Sequence, residues 1–206
     1  MKKILFFCML LFTSMTYSQE FKQEVIKVDD IHRFRIGIKA GILNGIGLSV
    51  EYVTPLLNNR IAPYADFGYM PISTFESTYF EIGSNIYFRN KGKGGYVSLG
   101  YGNLDAEMSE LELETDDGED LEDGVAHEKI SSFNVKLGGK YGNKLYFRIE
   151  AGYAFGSFPT EIPVTGNVDG NQETVIFSID DFLDEVGFSL SGNGYVLFNL
   201  GIGYSF

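Results

Sequence analysis

Two histidines, one cysteine and 28 carboxylates are the side chains of this 206-residue chain best suited to chemistry. His127 stands four residues before Ser131. A histidine within reach of a serine hydroxyl is the usual activator of a nucleophile. On a strand, that spacing puts both on one face only if the strand is unbroken. The pair matches no catalytic motif, and His32 precedes the first patterned segment, so no catalytic residue is assigned. Cys8 lies inside the apolar run at the start of the chain, which leaves neither disulfide nor thiol chemistry for the mature protein. No cofactor is implied.

The carboxylates are the other candidates. Residues 103–130 hold twelve acids against one lysine, and residues 157–192 hold seven with no Lys or Arg; together these are 19 of the 28. The tip of the first run, "DDGEDLEDG", suggests calcium, but an EF-hand frame needs oxygen ligands at positions 1, 3 and 5, Gly at 6 and Glu at 12. Gly118 at position six puts Leu113 at position one, and Gly124 puts Leu121 at position three, so neither frame works. Two readings stay open for the tip: a solvated charge run, or weak divalent-cation binding through Asp116, Asp117, Glu119, Asp120, Glu122 and Asp123. A formal net charge of -12 argues against nucleic acid as a partner.

The elements that carry these residues begin with an export signal. "MKKILFFCMLLFTSMTYS" has a lysine pair, an apolar run from Ile4 to Phe12, and small residues Thr16 and Ser18 at the spacing a signal peptidase reads. The expected division is residues 1–18 signal peptide, cleaved after Ser18, then 19–32 as a periplasmic leader, then 33–206 as one barrel domain. In the leader, Phe21, Val25 and Val28 suit either a short amphipathic helix or a flexible segment. No later apolar run reaches 18 residues, so no helix is expected to span a membrane.

From Arg33 onward the chain alternates with a period of two. Phe34, Ile36, Ile38, Ala40 and Ile42 alternate with Arg33, Arg35, Gly37, Lys39 and Gly41. After the turn dipeptide Asn44-Gly45, Ile46, Leu48, Val50 and Tyr52 oppose Gly47, Ser49 and Glu51. "IAPYADFGYM", "YFEIGSNIYF", "GYVSLGYG", "SFNVKLGGKYG", "KLYFRIEAGYAFG" and "NGYVLFNLGIGYSF" complete eight segments. Short connections ("PLLNNR", "RNKGKG", "GN") fall on one side, and one tight turn with three longer loops on the other. That is the pattern of an all-β, up-and-down antiparallel transmembrane barrel of eight strands.

A water-soluble barrel or sandwich is the competing architecture. One face carries Arg35, Lys39, Glu51, Asp66, Glu81, Lys136, Lys140, Arg148 and Glu150, together with nearly all the strand glycines. The other carries Phe, Tyr, Ile, Leu and Val, whose volume would crowd an eight-strand interior. Turned outward against lipid they fit, with Tyr52, Tyr69, Tyr101, Tyr141, Tyr153 and Tyr204 placed for interfacial girdles. These nine charged residues, and Arg33 with them, are then expected inside, paired with one another. They form either a structural plug or a narrow polar path that conducts weakly.

The signal peptide, the eight alternating segments and the closing "LFNLGIGYSF" resemble the small eight-stranded outer-membrane proteins of Gram-negative bacteria, the OmpA-transmembrane, OmpX and OmpW class. The resemblance covers nearly the whole mature chain and rests on pattern, not on an invariant motif. It implies an outer-membrane location in contact with lipid and lipopolysaccharide. It also implies that the terminal aromatic Phe206 is read by the barrel assembly machinery. The Ser18-Gln19 junction is similar to exports of the Bacteroidetes. Some small barrels modify lipid A, which keeps such an enzyme as a remote alternative to a non-enzymatic, porin-like or structural role. A third reading is a surface module binding an extracellular protein through its acidic loops.

Two loop features complete the expectations. "SELELET" keeps the alternation, so the fifth strand should continue beyond the membrane and return through "VAHEKISSF". "TEIPVTGNVDGNQETVIFSI" reads as a hairpin, either an external pair or two further wall strands that would make ten. After it, Ile179, Phe182, Leu183 and Val186 follow Ser178 at helical spacing.

Overall fold

Alternation of this kind is satisfied only by strands whose two faces meet different surroundings. The computed structural model describes residues 31–206 apart from 43, 73, 90–91, 115–119, 158, 160, 170 and 179–193. The signal-peptide and leader expectations, and the helix after Ser178, lie outside the described residues. Ten strands are formed: β1 Phe34–Gly41, β2 Gly45–Tyr52, β3 Ile61–Ile72, β4 Phe75–Tyr87, β5 Gly94–Glu114, β6 Asp120–Gly142, β7 Leu145–Gly156, β8 Glu161–Val168, β9 Asn171–Ser178 and β10 Gly194–Ser205. No helix occurs among the described residues.

Eight of these strands close into an antiparallel barrel in the order β1-β2-β3-β4-β5-β6-β7-β10, with β10 returning to β1. Ser205 opposes Arg35, and the row continues through Glu51, Tyr64, Gly83, Gly100, Asn134 and Ala154 to Tyr195. One circuit of the wall therefore climbs ten residues of β10, from 205 to 195. With about 3.3 Å per residue and about 4.8 Å between strands, that climb gives a tilt of about 40°.

β5 and β6 run to 21 and 23 residues, well over twice the 8 residues of β1 and β2. Their outer ends leave the barrel as a ribbon paired as far as Glu114 and Asp120. The β8–β9 hairpin does not enter the wall; it pairs with the β6 extension at Glu122–Asn167 and Val125–Thr165. A ten-strand wall is thereby corrected to eight wall strands plus an external pair. The reason is pairing: β10 already closes on β7 and β1, and the only partners of β8 and β9 among the described residues are each other and the outer end of β6.

A bulge makes the external sheet fold. Asp123 has a left-handed φ of 52°, and the register shifts between Glu122 and Val125. The extra residue brings Leu121 and Ala126, five apart and otherwise on opposite faces, onto the same side. There they are buried with Ile162, Val164 and Val168, against Met108, Val175 and Phe177. Each large aliphatic side chain among them contributes about 1.5–3 kcal/mol by leaving water.

The barrel itself has reversed polarity. Outward-facing Phe34, Ile38, Leu48, Phe67, Ile82, Leu137, Phe147 and Ile202 are exposed, while all nine charged residues of the opposite face are buried to 5% exposure or less. The tyrosines predicted for the outside lie there: Tyr52, Tyr141 and Tyr204 toward the short turns, and Tyr69, Tyr101 and Tyr153 toward the long loops. Along β10 the apolar face runs from Val196 to Phe206, which at a 40° tilt spans about 25 Å. It ends abruptly on β5 and β6, where Tyr101 and Phe133 are followed by Asn103 and Ser131, then Asp105 and Lys129.

Candidate functional site

The lumen is where the wall gathers its ionisable groups. Period two aims every second residue inward, and the tilt staggers these residues in height. The charged side chains therefore interleave instead of colliding in one ring. Glycines open the room they need: a Cβ on Gly100 would meet the Glu81 carboxylate and the Tyr64 hydroxyl, and one on Gly138 would meet the Tyr96 ring.

Nearest the short turns, Glu51 is shared by two cations. Arg35 Nη1 donates to its Oε1 at 2.6 Å, and Lys140 pairs with its Oε2. The Tyr87 hydroxyl donates to Oε1 at 2.9 Å, and the Asn85 amide also donates to this carboxylate. The Lys140 ammonium lies 5.9, 5.6 and 5.5 Å from the ring centres of Tyr87, Tyr96 and Tyr146. It thus combines an ion pair with cation–π attraction. This layer holds one more cation than carboxylates.

The middle layer balances. Lys136 reaches both oxygens of Glu81 at 2.7 and 2.8 Å and stands 4.0 Å from Glu150. Arg148 donates to Ser49 Oγ at 2.6 Å and to Glu150 at 2.7 Å, and lies 3.4 Å from Asp66. Asp66 also pairs with Lys39. Glu81 further accepts from the Tyr64 hydroxyl and, at 2.7 Å, from the Tyr79 hydroxyl. Glu150 accepts from Tyr96 at 2.7 Å and from Asn199 at 3.3 Å.

Toward the loops the lumen becomes neutral: Asn134 donates to the Tyr79 hydroxyl, Asn44 donates to Asn199, and Tyr195 and Leu197 fill the space beside Ala154. Of the ten charged residues expected inside, the structure thus brings nine together. The predicted list omitted Tyr64, Tyr79, Tyr87, Tyr96 and Tyr195, whose hydroxyls and rings fill the lumen between the charges. Their signal was available, because each falls on the same alternation phase as the charged residues.

Such an arrangement solvates charges with fixed dipoles and partners in place of water. It has the chemistry of a plug, with lysines and arginines locked on carboxylates that tyrosine and asparagine donors also occupy. Arg33, expected among the inward charges, instead lies outside this network at the short-turn rim, where Nη1 donates to the Val53 carbonyl at 3.0 Å.

The histidine and serine are placed on the outer ribbon. β6 is continuous from residue 120 to 142, so His127 and Ser131 share its outward face. Four residues of strand separate them by roughly 13 Å. His127 Nε2 contacts Asp105 at 2.5 Å, whereas Ser131 donates to Asn103 at 2.7 Å. The two side chains form no nucleophile–base pair. Lys129 joins Asp105 at 3.0 Å, and the hydrogen bonds from Lys129 and His127 lower the Asp105 carboxyl below its usual range. Of the acidic tip, Glu122 and Asp123 are exposed at the bulge; Asp116, Asp117 and Glu119 lie outside the described residues. No metal-holding cluster occurs among the described residues.

No protein-family model and no curated protein matches the chain. Two solved structures are similar to it. Acinetobacter baumannii CarO is 9% identical, with a TM-score of 0.42, over 90% of this chain and 100% of that one. A major outer membrane protein from Thermus thermophilus is 13% identical, with a TM-score of 0.46, over 85% of this chain and 100% of that one.

Proposed function

We propose that this chain is a non-enzymatic outer-membrane β-barrel protein, structural in role, whose lumen is closed by its own ionic and tyrosine side chains. The reversal of polarity carries the reading. An apolar exterior about 25 Å tall, bounded by tyrosines at both ends, matches the hydrocarbon of an outer membrane. The interior would be ruinous in such a fold if its charges lacked partners. Export by the N-terminal signal, contact with lipopolysaccharide, and recognition of Phe206 by the assembly machinery belong to the same reading. An origin in the Bacteroidetes rests on the Ser18-Gln19 junction alone.

Refolding into phosphatidylcholine vesicles tests the location. The expected product migrates faster unheated than boiled and keeps a protease-resistant barrel; a water-soluble monomer folded without detergent or lipid would overturn it. Planar bilayers test the lumen. The closed plug predicts no discrete conductance, while steps in conductance would establish the narrow, weakly permeable path.

The external sheet favours a second role. β5, β6, β8 and β9 build a folded platform with its own apolar cluster beyond the apolar band. Its described surface exposes Glu122 and Asp123 of the acidic tip. A surface-binding module for an extracellular protein would use this platform. Pull-down with the intact chain, compared with one lacking residues 157–180, tests that role.

A further inference from the structure

The short-turn rim is chemically unlike the rest of the molecule. Its connections, residues 53–60, 88–93 and 143–144, contain Arg60, Arg89, Lys91, Lys93 and Lys144 and no Asp or Glu. Arg33 adds a further cation at the start of β1. Arg89, Lys93 and Lys144 are exposed, and Arg33 and Arg60 are half-buried. Their heights are fixed by the register. Arg33 immediately precedes Phe34, Arg60 precedes Ile61, Lys144 precedes Leu145, and Arg89 follows Phe88. Each of these four cations therefore sits one residue beyond the last outward apolar side chain of its strand. The turn between β2 and β3 also exposes Leu56 and Leu57, at 60% and 68%. Within the lumen, the Arg35–Glu51–Lys140 layer adds one more positive charge at this end. At the opposite end the β5–β6 ribbon exposes Glu107, Glu122 and Asp123.

We infer that this rim is a docking surface for the anionic head groups of phospholipids. The inference rests on the membrane reading above and adds a lipid class to it. Once the apolar band is in hydrocarbon, continuity of the strands leaves the rim cations no depth but that of the phosphate layer. Lysine and arginine at such a surface are attracted to anionic lipid, and the attraction decays within a Debye length. Leu56 and Leu57 suit the same boundary, where an apolar side chain can turn back toward the acyl chains. An acidic protein of net charge -12 would otherwise be repelled by an anionic leaflet. The segregation of its charges makes one end attractive while the acids of the β5–β6 ribbon stay remote.

Spin-labelled lipid partitioning tests the inference. The barrel is refolded in phosphatidylcholine vesicles, folding is verified by heat-shifted mobility, and trace spin-labelled phosphatidylglycerol or phosphatidylcholine is added. The motionally restricted fraction next to the protein is then compared. The expected result is a preference for phosphatidylglycerol of about twofold or more, falling toward unity in about 1 M salt. The preference should also be lost in the R89Q/K93Q/K144Q variant. Equal restriction of the two lipids by the native chain overturns the inference, as does a preference that survives both salt and the triple substitution. Should the variant not fold, the salt series on the native chain decides alone. Failure of the native chain to insert at all would instead overturn the membrane reading.

Discussion

Lys136 Nζ lies 2.7 and 2.8 Å from the two carboxylate oxygens of Glu81, although 55 residues separate them and β5 stands between their strands. Gly100 on β5 leaves the space through which they meet. Both side chains are fully buried. Removing either partner leaves an uncompensated charge away from water, at a cost of about 3–5 kcal/mol. Glu81→Gln and Lys136→Met should each lower the urea midpoint of the lipid-refolded barrel by that equivalent. The double substitution should be less destabilised than the sum of the two singles; strict additivity would show that the pair is not coupled.

Tyr146 and Gly203 supply a steric test. A Cβ on Gly203 would overlap the Tyr146 phenol, whose hydroxyl also lies 2.8 Å from the corresponding point on Gly37. Gly203→Val should therefore destabilise by about 1–3 kcal/mol, as overpacking does. Adding Tyr146→Ala should restore part of the loss in the same urea titration. If Gly203→Val is neutral, the ring does not occupy that position.

The apolar band predicts a contrast between two exposed aliphatic residues. Leu200 is 41% exposed in mid-barrel, opposite Ile149 and Ala40, while Ile176 is 67% exposed on the external hairpin. Leu200→Arg should cost about 2–4 kcal/mol in lipid, the penalty for arginine near the bilayer midplane. Ile176→Arg, outside the band, should leave lipid-refolded stability nearly unchanged. Comparable losses at both sites would contradict the placement of the band.

On the outer ribbon, Asp105 is held below its usual carboxyl range by Lys129 and His127. A depressed folded value means that the unfolded chain binds the proton more readily. The contribution is therefore present above the ordinary carboxylate range and disappears as the pH falls through the folded value. Because the carboxyl is 44% exposed, solvent screening keeps the effect small. The native chain should exceed Asp105→Asn slightly in stability near neutral pH, and the advantage should shrink as the pH falls below the ordinary carboxylate range, measured by urea titration across that interval.

Much of this molecule is legible without coordinates. Strict alternation in "RFRIGIKAGI" and "VLFNLGIGYSF" requires strands with two unlike surroundings, and the alternation phase assigns Arg35, Lys39 and Asn199 to one side. The extra length of β5 and β6 is visible in "SELELET" and "VAHEKISSF". The inner tyrosines were equally accessible by phase. They are overlooked because tyrosine on an outer face is expected at an interface, and type overrides position.

Pairing is different. A period of two states which face Glu51 occupies, but not that Arg35 and Lys140 both converge on it, because partners across the lumen are set by the ten-residue climb of one circuit. Closure therefore decides that Lys136 meets Glu81 and that Arg148 reaches Ser49, Asp66 and Glu150. The same holds outside the wall, where one left-handed residue, Asp123, rotates the end of β6 so that Leu121 and Ala126 share a core with β8. Local sequence determined strands, faces and charge segregation, since these depend only on alternation. Register, shear and the bulge are collective properties of the closed sheet, and only the tertiary structure decided which charge lies beside which.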